Sequence, residues 1–368
     1  MHPLSGADLE TLSRVFRRAG ALSRPGQGLM IRAAALGRWP FSTLEKALLA
    51  PKLPAVQEMT PPIFILGHWR SGTTHLYNIM AKADFGYVPP LATGLPWDLM
   101  GIAKVLEPLL ERALPKTRYI DNIPVLPDSP QEDEIALANM TPVSFYHGIY
   151  FPLDFDDYLR EGVFFDGVSP EDVADWKATF VYLMRKLSLH QKGKQLLIKN
   201  PVYTARLALL REMFPGAKFI HIRRNAYDVF ASMRNFYAKL LKQFALQPYE
   251  HLDIDAAILD VYARMMRQLD ADAEGLPEDA FVELRYDALD ADPLGTVQLI
   301  YERLGIEGYA EARPRFEAYL KTITNYEKNK FGYSDEAAAK VEGAWGEFLA
   351  KWGDQRPGPA RAGPVRAG

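Results

Sequence analysis

Short apolar runs recur along the chain, and segments with helical spacing follow them. The runs lie at 62–67, 196–198, 218–222 and 280–284, and they are short enough to predict buried strands. Helices are expected at 73–82, 203–213, 226–241, 255–272 and 294–304. Because buried strands that alternate with helices form parallel sheets covered on both faces, the pattern predicts an α/β fold with a central parallel sheet flanked by helices.

Several segments outside this alternation also read as helical or as loops. A loop rich in Pro and Gly is expected at 89–97, and a helix at 99–113. Ser129 followed by Pro130 and Glu132 resembles a helix start with a capping box, and a similar start at Ser169 opens a helix that ends near His190.

Residues 6–52 are expected to be helical and are rich in arginine. The favoured interpretation is a helical extension, 1–55, packed on the core; the alternative is an arm that binds a membrane surface or a partner. The extension precedes an α/β domain at 56–353. The tail at 354–368 is rich in Pro, Gly, Ala and Arg and is expected to be disordered.

The turn after the first strand has the chemistry of a phosphate-binding loop. Gly67 and Gly72 have the G-x-x-x-x-G spacing, but Thr73 stands where a nucleotide hydrolase has lysine, and the cation Arg70 precedes the second glycine. Such a loop, followed by a helix N-terminus, binds anions. A P-loop-type fold that binds a phosphate-bearing ligand, without ATP hydrolysis, is therefore expected.

A second anion site is expected where the strand at 218–222 ends. Two arginines follow that strand, and Ser232 comes eight residues after Arg224, about two helical turns on. A Mg-dependent nucleotide hydrolase needs an Asp at a strand end to hold its metal, and no such strand end is evident. Two anion sites at strand ends suit a nucleotide with phosphates at two positions.

The composition excludes several classes of partner and of metal site. The chain has 368 residues with a net charge of −3, so no global basic field attracts nucleic acid. It contains no cysteine, which excludes disulfides and thiolate metal sites. No apolar stretch is long enough to span a membrane, and the N-terminus lacks the pattern of a signal sequence, so a cytoplasmic protein is expected.

The two phosphate motifs resemble those of the sulfotransferases that use 3′-phosphoadenosine 5′-phosphosulfate, and the match is that of a bacterial member. The 5′-phosphate motif of that family matches a run of five residues: Arg70, Ser71, Gly72, Thr73 and Thr74. Its 3′-phosphate motif matches Arg224 and Ser232, although the usual Asp-Pro after the arginine is Asn-Ala here. The resemblance spans about 62–335 and implies that nucleotide as donor, with no metal.

The resemblance also suggests further nucleotide contacts. Tyr286 lies in a segment similar to the one whose tyrosine is near the adenine, and Lys328 and Lys330 lie where a late basic loop closes on the nucleotide. Lys199 follows its strand as the lysine of the family does. His75 is a candidate contact of the cofactor or the acceptor from its position alone, because it opens onto the phosphate loop.

The chemistry of sulfuryl transfer predicts the remaining roles. Arg70 and Lys199 are the candidates to stabilise charge on the leaving phosphate, and an acceptor hydroxyl or amine needs a general base. Three adjacent carboxylates are candidates for that base. Their order of preference is Glu134, then Glu132, whose carboxylate the capping box already explains, then Asp133.

The acceptor is expected to be a small molecule or lipid. The aromatic stretch at 144–165 is favoured as core; if it lines a pocket, it suits a hydrophobic acceptor. Together with the basic N-terminal helices, this suggests peripheral membrane contact. The alternatives are a carbohydrate acceptor, a kinase-like phosphotransferase, and an inactive nucleotide-binding protein.

Overall fold

The computed structural model describes residues 2–104, 129–323 and 334–357. At its centre is a parallel sheet of four strands in the order β2-β1-β3-β4. The strands are β1 (Ile63–Leu66), β2 (Leu197–Lys199), β3 (Lys218–Arg223) and β4 (Phe281–Arg285). All four apolar runs are therefore confirmed as strands. Phe64 of β1 pairs with Ile198 and with Phe219 on its two sides, so β1 is central.

Helices cover both faces of the sheet. The described helices are α1 (Leu9–Ala19), α2 (Pro25–Leu49), α3 (Thr73–Met80), α4 (Pro90–Gly94), α5 (Glu134–Ala138), α6 (Tyr146–Tyr150), α7 (Phe155–Phe164), α8 (Pro170–His190), α9 (Leu207–Met213), α10 (Ala226–Phe244), α11 (Ile254–Ala273), α12 (Tyr286–Ala291), α13 (Pro293–Arg303), α14 (Tyr309–Thr322) and α15 (Asp335–Trp352).

Alternation along each strand sends its side chains to two different cores. Ile63 and Ile65 face a cluster with α3, α13 and α14, whereas Phe64 and Leu66 face a cluster with α8 and α9. The three-layer α/β architecture predicted from the sequence is confirmed. A third cluster joins α1, α6, α7, α10, α11 and α15.

The N-terminal helices pack on this third cluster. Val15 and Phe16 of α1 are buried there, as are Ile31 and Ala35 of α2. Most aromatic residues of 144–165 belong to the same core, and Phe145, Tyr150 and others are almost fully buried. The preferred core interpretation of that stretch is therefore confirmed.

Three local predictions need correction. The helix expected from Ser129 begins only at Glu134, with Asp133 at the cap position and no side-chain cap bond. The loop at 89–97 contains the short helix α4, and the helix expected from 203 begins at Leu207 after a 3₁₀ turn, Pro201–Ala205. The sequence patterns did not predict the helices α6, α7, α14 and α15.

Some predictions lie outside the described residues: most of the helix at 99–113, most of the tail at 354–368, and Lys328 and Lys330. Within the described ranges, no helix combines the length and the apolar character needed to cross a membrane.

Candidate active site

The loop between β1 and α3 depends on its glycines. Gly67 and Gly72 have φ angles of 142° and 99°, and Arg70 between them has φ of 70°. A Cβ on Gly67 would lie 2.4 Å from the carbonyl oxygen of Ile222 in β3. The Gly67 N–H donates to Thr204 Oγ1 at 2.8 Å. The chain therefore turns sharply at the carboxyl end of the sheet and enters α3 with its helix N-terminus facing the loop.

Side chains of the loop divide into internal and outward-facing groups. The Ser71 hydroxyl donates to the His68 carbonyl at 2.7 Å and is buried, so it stabilises the loop itself. Thr73 is also buried, whereas Thr74 and His75 are partly exposed. Thr74 Oγ1 accepts a hydrogen bond from Lys199 Nζ at 3.2 Å. The loop is thereby tied to the end of β2.

The two arginines at the end of β3, Arg223 within the strand and Arg224 after it, have different surroundings. Arg223 forms an ion pair with Glu283 at 3.3 Å and lies over the Trp352 ring, so it contributes to packing. Arg224 points to the site: its guanidinium lies 4.9 Å from the centroid of the Tyr286 ring. It also pairs with Asp228 on the next helical turn at 3.3 Å. Only Arg224 is therefore placed to meet a ligand beside the loop.

The two motifs meet in space. Arg70 Nε donates to Ser232 Oγ at 2.9 Å, which joins the first loop to the helix of the second motif. The Tyr286 ring packs so closely on Gly72 that a Cβ there would lie 2.2 Å from Cδ2 of the ring. Arg70, Gly72, Arg224, Ser232 and Tyr286 are thus gathered at the carboxyl ends of β1, β3 and β4.

A lysine and a carboxylate meet at the end of β2. Lys199 is buried, with 2 % of its side chain exposed, and it forms an ion pair with Glu132, whose side chain is 13 % exposed. The capping box proposed for Glu132 is therefore wrong, because the carboxylate binds Lys199 and no helix begins at 130. Glu132 is thus linked to the phosphate loop through Lys199 and Thr74, and its side chain is still partly accessible to solvent.

The neighbouring carboxylates are committed to buried partners. Glu134 accepts hydrogen bonds from Ser144 Oγ at 2.7 Å and from Asn200 Nδ2 at 2.9 Å, one on each oxygen. Burial raises the pKa of Glu134, and the nearby charge of Arg206 opposes that rise. Both oxygens of Glu134 are therefore occupied within the protein interior.

Asp133 occupies a different buried pocket. Its Oδ2 accepts a hydrogen bond from the hydroxyl of Tyr203, and its side chain is fully buried. Burial raises the pKa of Asp133 to about 7, although the Tyr203 hydroxyl acts in the opposite direction. Tyr203 therefore holds a buried carboxyl group in place.

Sequence reasoning missed three supporting residues. Thr204 holds the loop, Ser144 holds Glu134, and Arg206 supplies a buried positive charge, with its guanidinium bonded to the carbonyls of Gly162 and Val163. None of them belongs to a motif, and each acts through contacts distant in sequence. For Arg206, the signal was a cation within an otherwise apolar and uncharged run.

The chain is therefore an α/β protein of the P-loop type, with two arginines, Arg70 and Arg224, at one edge of its sheet. A family model described as "Sulfotransferase family" matches residues 61–311. The chain belongs to the sulfotransferase family, and it is a transferase of sulfuryl groups.

Curated relatives and solved structures agree with this assignment. The chain is 31% identical over 338 residues to the omega-hydroxy-beta-dihydromenaquinone-9 sulfotransferase Stf3 of Mycobacterium tuberculosis and of Mycobacterium bovis, covering 90% of this chain and 84% of each relative. The sulfotransferase STF9 from Mycobacterium avium has a similar fold, with a TM-score of 0.70 at 17% identity over 96% of this chain and 98% of that one. STF1 from Mycobacterium tuberculosis gives a TM-score of 0.61 at 18% identity over 91% and 90%.

Proposed function

We propose that this sulfotransferase takes its sulfuryl group from 3′-phosphoadenosine 5′-phosphosulfate. The observation that carries this proposal is the Arg70–Ser232 hydrogen bond, because it joins a 5′-phosphate loop to the helix that follows Arg224. A nucleotide with phosphates at both positions would meet a cation at each. Arg70 and the start of α3, with Thr73 and Thr74, would hold the 5′ side, and Arg224 with Ser232 the 3′ side.

Tyr286 suits the region between the two phosphates. Its ring lies against Gly72 and beside Arg224, so an aromatic surface separates the two anion-binding groups. A planar base can stack on such a surface. Lys328, Lys330 and His75 remain proposed contacts of the same nucleotide.

The donor supplies an activated sulfuryl group on its 5′-phosphate, and the chain's residues position it and move a proton. Lys199 and Arg70 would stabilise negative charge on the leaving phosphate. Glu132 is our preferred base because it is accessible and bonded to Lys199, whereas both oxygens of Glu134 are engaged. Glu132 would accept the acceptor's proton, and Glu134 with Asn200 would hold the strand end in place.

We propose a hydroxyl of a hydrophobic, lipid-like molecule as acceptor. The support is the similarity to the Stf3 proteins, whose name specifies an omega-hydroxylated dihydromenaquinone. The aromatic stretch at 144–165 no longer supports this acceptor, because it is packed in the core. Peripheral membrane contact through the N-terminal helices belongs to this proposal, and a cytoplasmic location stays a prediction.

A transfer assay tests the function. The protein is incubated with sulfate-labelled donor and an ω-hydroxylated polyprenyl quinone in detergent, with the quinone lacking the ω-hydroxyl as the matched control. We expect label only in the hydroxylated lipid. Label in sugars but not in the lipid would favour the carbohydrate alternative. Phosphate transfer from ATP-Mg would favour the kinase alternative, and no transfer with retained donor binding would favour the inactive protein.

A further inference from the structure

The helix α2 (Pro25–Leu49) exposes large apolar side chains to solvent, the reverse of an ordinary surface helix. Large apolar side chains on its solvent side define what we call its outer face: Leu29 (67% exposed), Met30 (66%), Leu36 (62%), Trp39 (53%), Phe41 (49%), Leu44 (57%) and Leu48 (55%). Among the exposed positions of α2, all of which are described, the only charge is Arg32. A surface helix normally turns charged residues to water and apolar ones to the core.

Two charged residues of α2, Arg38 and Glu45, point inward and fix this orientation. Glu45 pairs with Lys186 at 2.6 Å, and both side chains are buried. Arg38 forms an ion pair with Asp98, and its Nη2 donates to the Ser5 carbonyl at 2.8 Å. Turning the outer face inward would break these buried pairs and strand their charges, which is costly. The apolar face is therefore held outward by the rest of the molecule.

Cations surround the outer face. Exposed Arg24 precedes the helix, Arg32 flanks it over the Phe16 ring, and exposed Lys52 follows it. Residues 14–52 contain 8 basic residues and one acidic residue, Glu45. Four of the eight, Arg14, Arg18, Arg38 and Lys46, form ion pairs with carboxylates, so the border consists of Arg24, Arg32 and Lys52. An apolar helix face with Trp and Leu, bordered by cations, is the pattern of a helix that lies in the interface of an anionic bilayer.

We propose that the outer face of α2 docks this protein on an anionic lipid bilayer. The outer face runs from Leu29 to Leu48, about 29 Å at about 1.5 Å per residue, which suits a helix lying in the membrane plane. Its large exposed side chains are apolar apart from Arg32, and the basic border matches the negative surface of such a bilayer. The apolar interior of a bilayer can bury the outer face, and its anionic headgroups can bind the cations at the border.

A chain of contacts links the docking helix to the site. Met100 N–H donates to Glu45 at 3.1 Å, and Lys46 Nζ lies 3.5 Å from the centroid of the Trp97 ring. Trp97 Nε1 donates at 3.1 Å to the carbonyl of Asn139, which follows α5, the helix next to Glu132. Docking would thus hold Glu132, the proposed base, in a fixed relation to the bilayer; that a bilayer lipid meets this base rests on the proposed lipid acceptor.

Vesicle flotation of the full chain tests the docking surface. The variant L36E/L44E places charge on the outer face, and L153E/L299E is the matched control, since Leu153 and Leu299 are 55% and 41% exposed elsewhere. We expect the wild type and the control to float with phosphatidylglycerol-containing vesicles. The outer-face variant should lose binding by about tenfold or more, because burying a charge in the interface is unfavourable.

Several results would overturn the proposal. One is a wild type that stays out of the vesicle fraction, and another is an outer-face variant that binds as well as the control. Light scattering that shows a lipid-free dimer of the wild type and a monomer of L36E/L44E would assign the face to a second copy. Marked loss of thermal stability in L36E/L44E alone would mean that another part of the chain covers it.

Activity separates docking from the proposed function. L36E/L44E should keep wild-type kcat on detergent-dispersed acceptor and lose turnover only on acceptor in vesicles. Vesicle binding without transfer to any lipid alcohol would leave docking intact and refute the acceptor. If both variants transfer sulfate to the acceptor in detergent and are also equally fast on acceptor in vesicles, the function stays intact and docking is refuted.

Discussion

At the scale of the residue, three consecutive carboxylates have three different environments. Glu132 is accessible and paired with Lys199, Asp133 is buried against Tyr203, and Glu134 is buried with both oxygens bonded. The sequence could place a carboxylate cluster beside the phosphate loop. It could not rank its members, because the partners come from β2, from the turn after β2 and from residue 144, which only the fold brings near.

The base is tested by two isosteric variants. Glu132→Gln removes the accessible carboxylate, and we expect kcat to fall by about 10²- to 10⁴-fold while nucleotide binding is largely kept. Glu134→Gln is the matched control: its amide cannot accept both bonds, so it should cost about 1–3 kcal/mol of stability and less activity. Steady-state kinetics and urea unfolding measure both. A larger loss of kcat in Glu134→Gln would restore Glu134 as the base.

Asp133 predicts a pH dependence of stability. Its pKa rises from 3.8 in the unfolded chain to about 7 in the folded protein, so the folded state retains the proton over that range. This group therefore favours folding most below pH about 4, and its contribution is lost as pH rises toward about 7. Asp133→Asn cannot ionise, so its stability relative to the wild type should increase between about pH 5 and pH 8. Urea unfolding at both values measures this, and a constant difference would contradict the assignment.

At the scale of the element, the phosphate loop depends on one close approach. Gly72 has φ of 99° and carries no Cβ, which lets the Tyr286 ring close over the start of α3. The sequence placed Gly72 in the phosphate loop but could not place the ring over it, since Tyr286 comes from the end of another strand.

Gly72→Ala should be costly in two ways. The left-handed φ strains an alanine, and its Cβ would displace Tyr286, so we expect a loss of about 1–3 kcal/mol in stability and weaker nucleotide binding. Gly343→Ala is the control, because Gly343 lies within α15 with no atom within 4 Å of its Cβ position. It should gain about 0.5–1 kcal/mol. Thermal unfolding measures the stability of both variants, and calorimetry measures their nucleotide affinity. Equal changes in Gly72→Ala and Gly343→Ala would contradict the prediction.

Elements were predicted well where one local pattern decided them. The four strands are short apolar runs, and α8 has a serine cap, proline at its first position and a single apolar stripe. The helix start at Ser129 failed because Glu132 pairs with Lys199, a tertiary contact that overrides the capping pattern. In α15, Val341, Trp345 and Phe348 carried a readable helical spacing that the prediction did not use.

At the scale of the whole molecule, the sheet order explains why the motifs meet. β1 lies beside β3, and β3 beside β4, all parallel, so their carboxyl ends bring Arg70, Arg224 and Tyr286 to one edge. The sequence supported a parallel sheet and two anion sites. The order of strands, and hence the direct bond between Arg70 and Ser232, needed the fold.

The central claim is that Arg70, Arg224, Ser232 and Tyr286 form one site for a nucleotide with phosphates at the 3′ and 5′ positions. Calorimetric titration with 3′-phosphoadenosine 5′-phosphate, adenosine 5′-phosphate and ATP-Mg tests it most directly, on the wild type and on Arg224→Ala, with Arg223→Ala as the control.

We predict that the bisphosphate binds most tightly to the wild type. Arg224→Ala should weaken the bisphosphate by about 10- to 100-fold, as for a charged hydrogen bond of about 1.5–3 kcal/mol, and adenosine 5′-phosphate much less. Arg223→Ala should preserve this preference, because Arg223 is engaged in packing. Tight binding of ATP-Mg with no binding of the bisphosphate would contradict this claim. So would an Arg224→Ala variant that loses equal affinity for the bisphosphate and for adenosine 5′-phosphate.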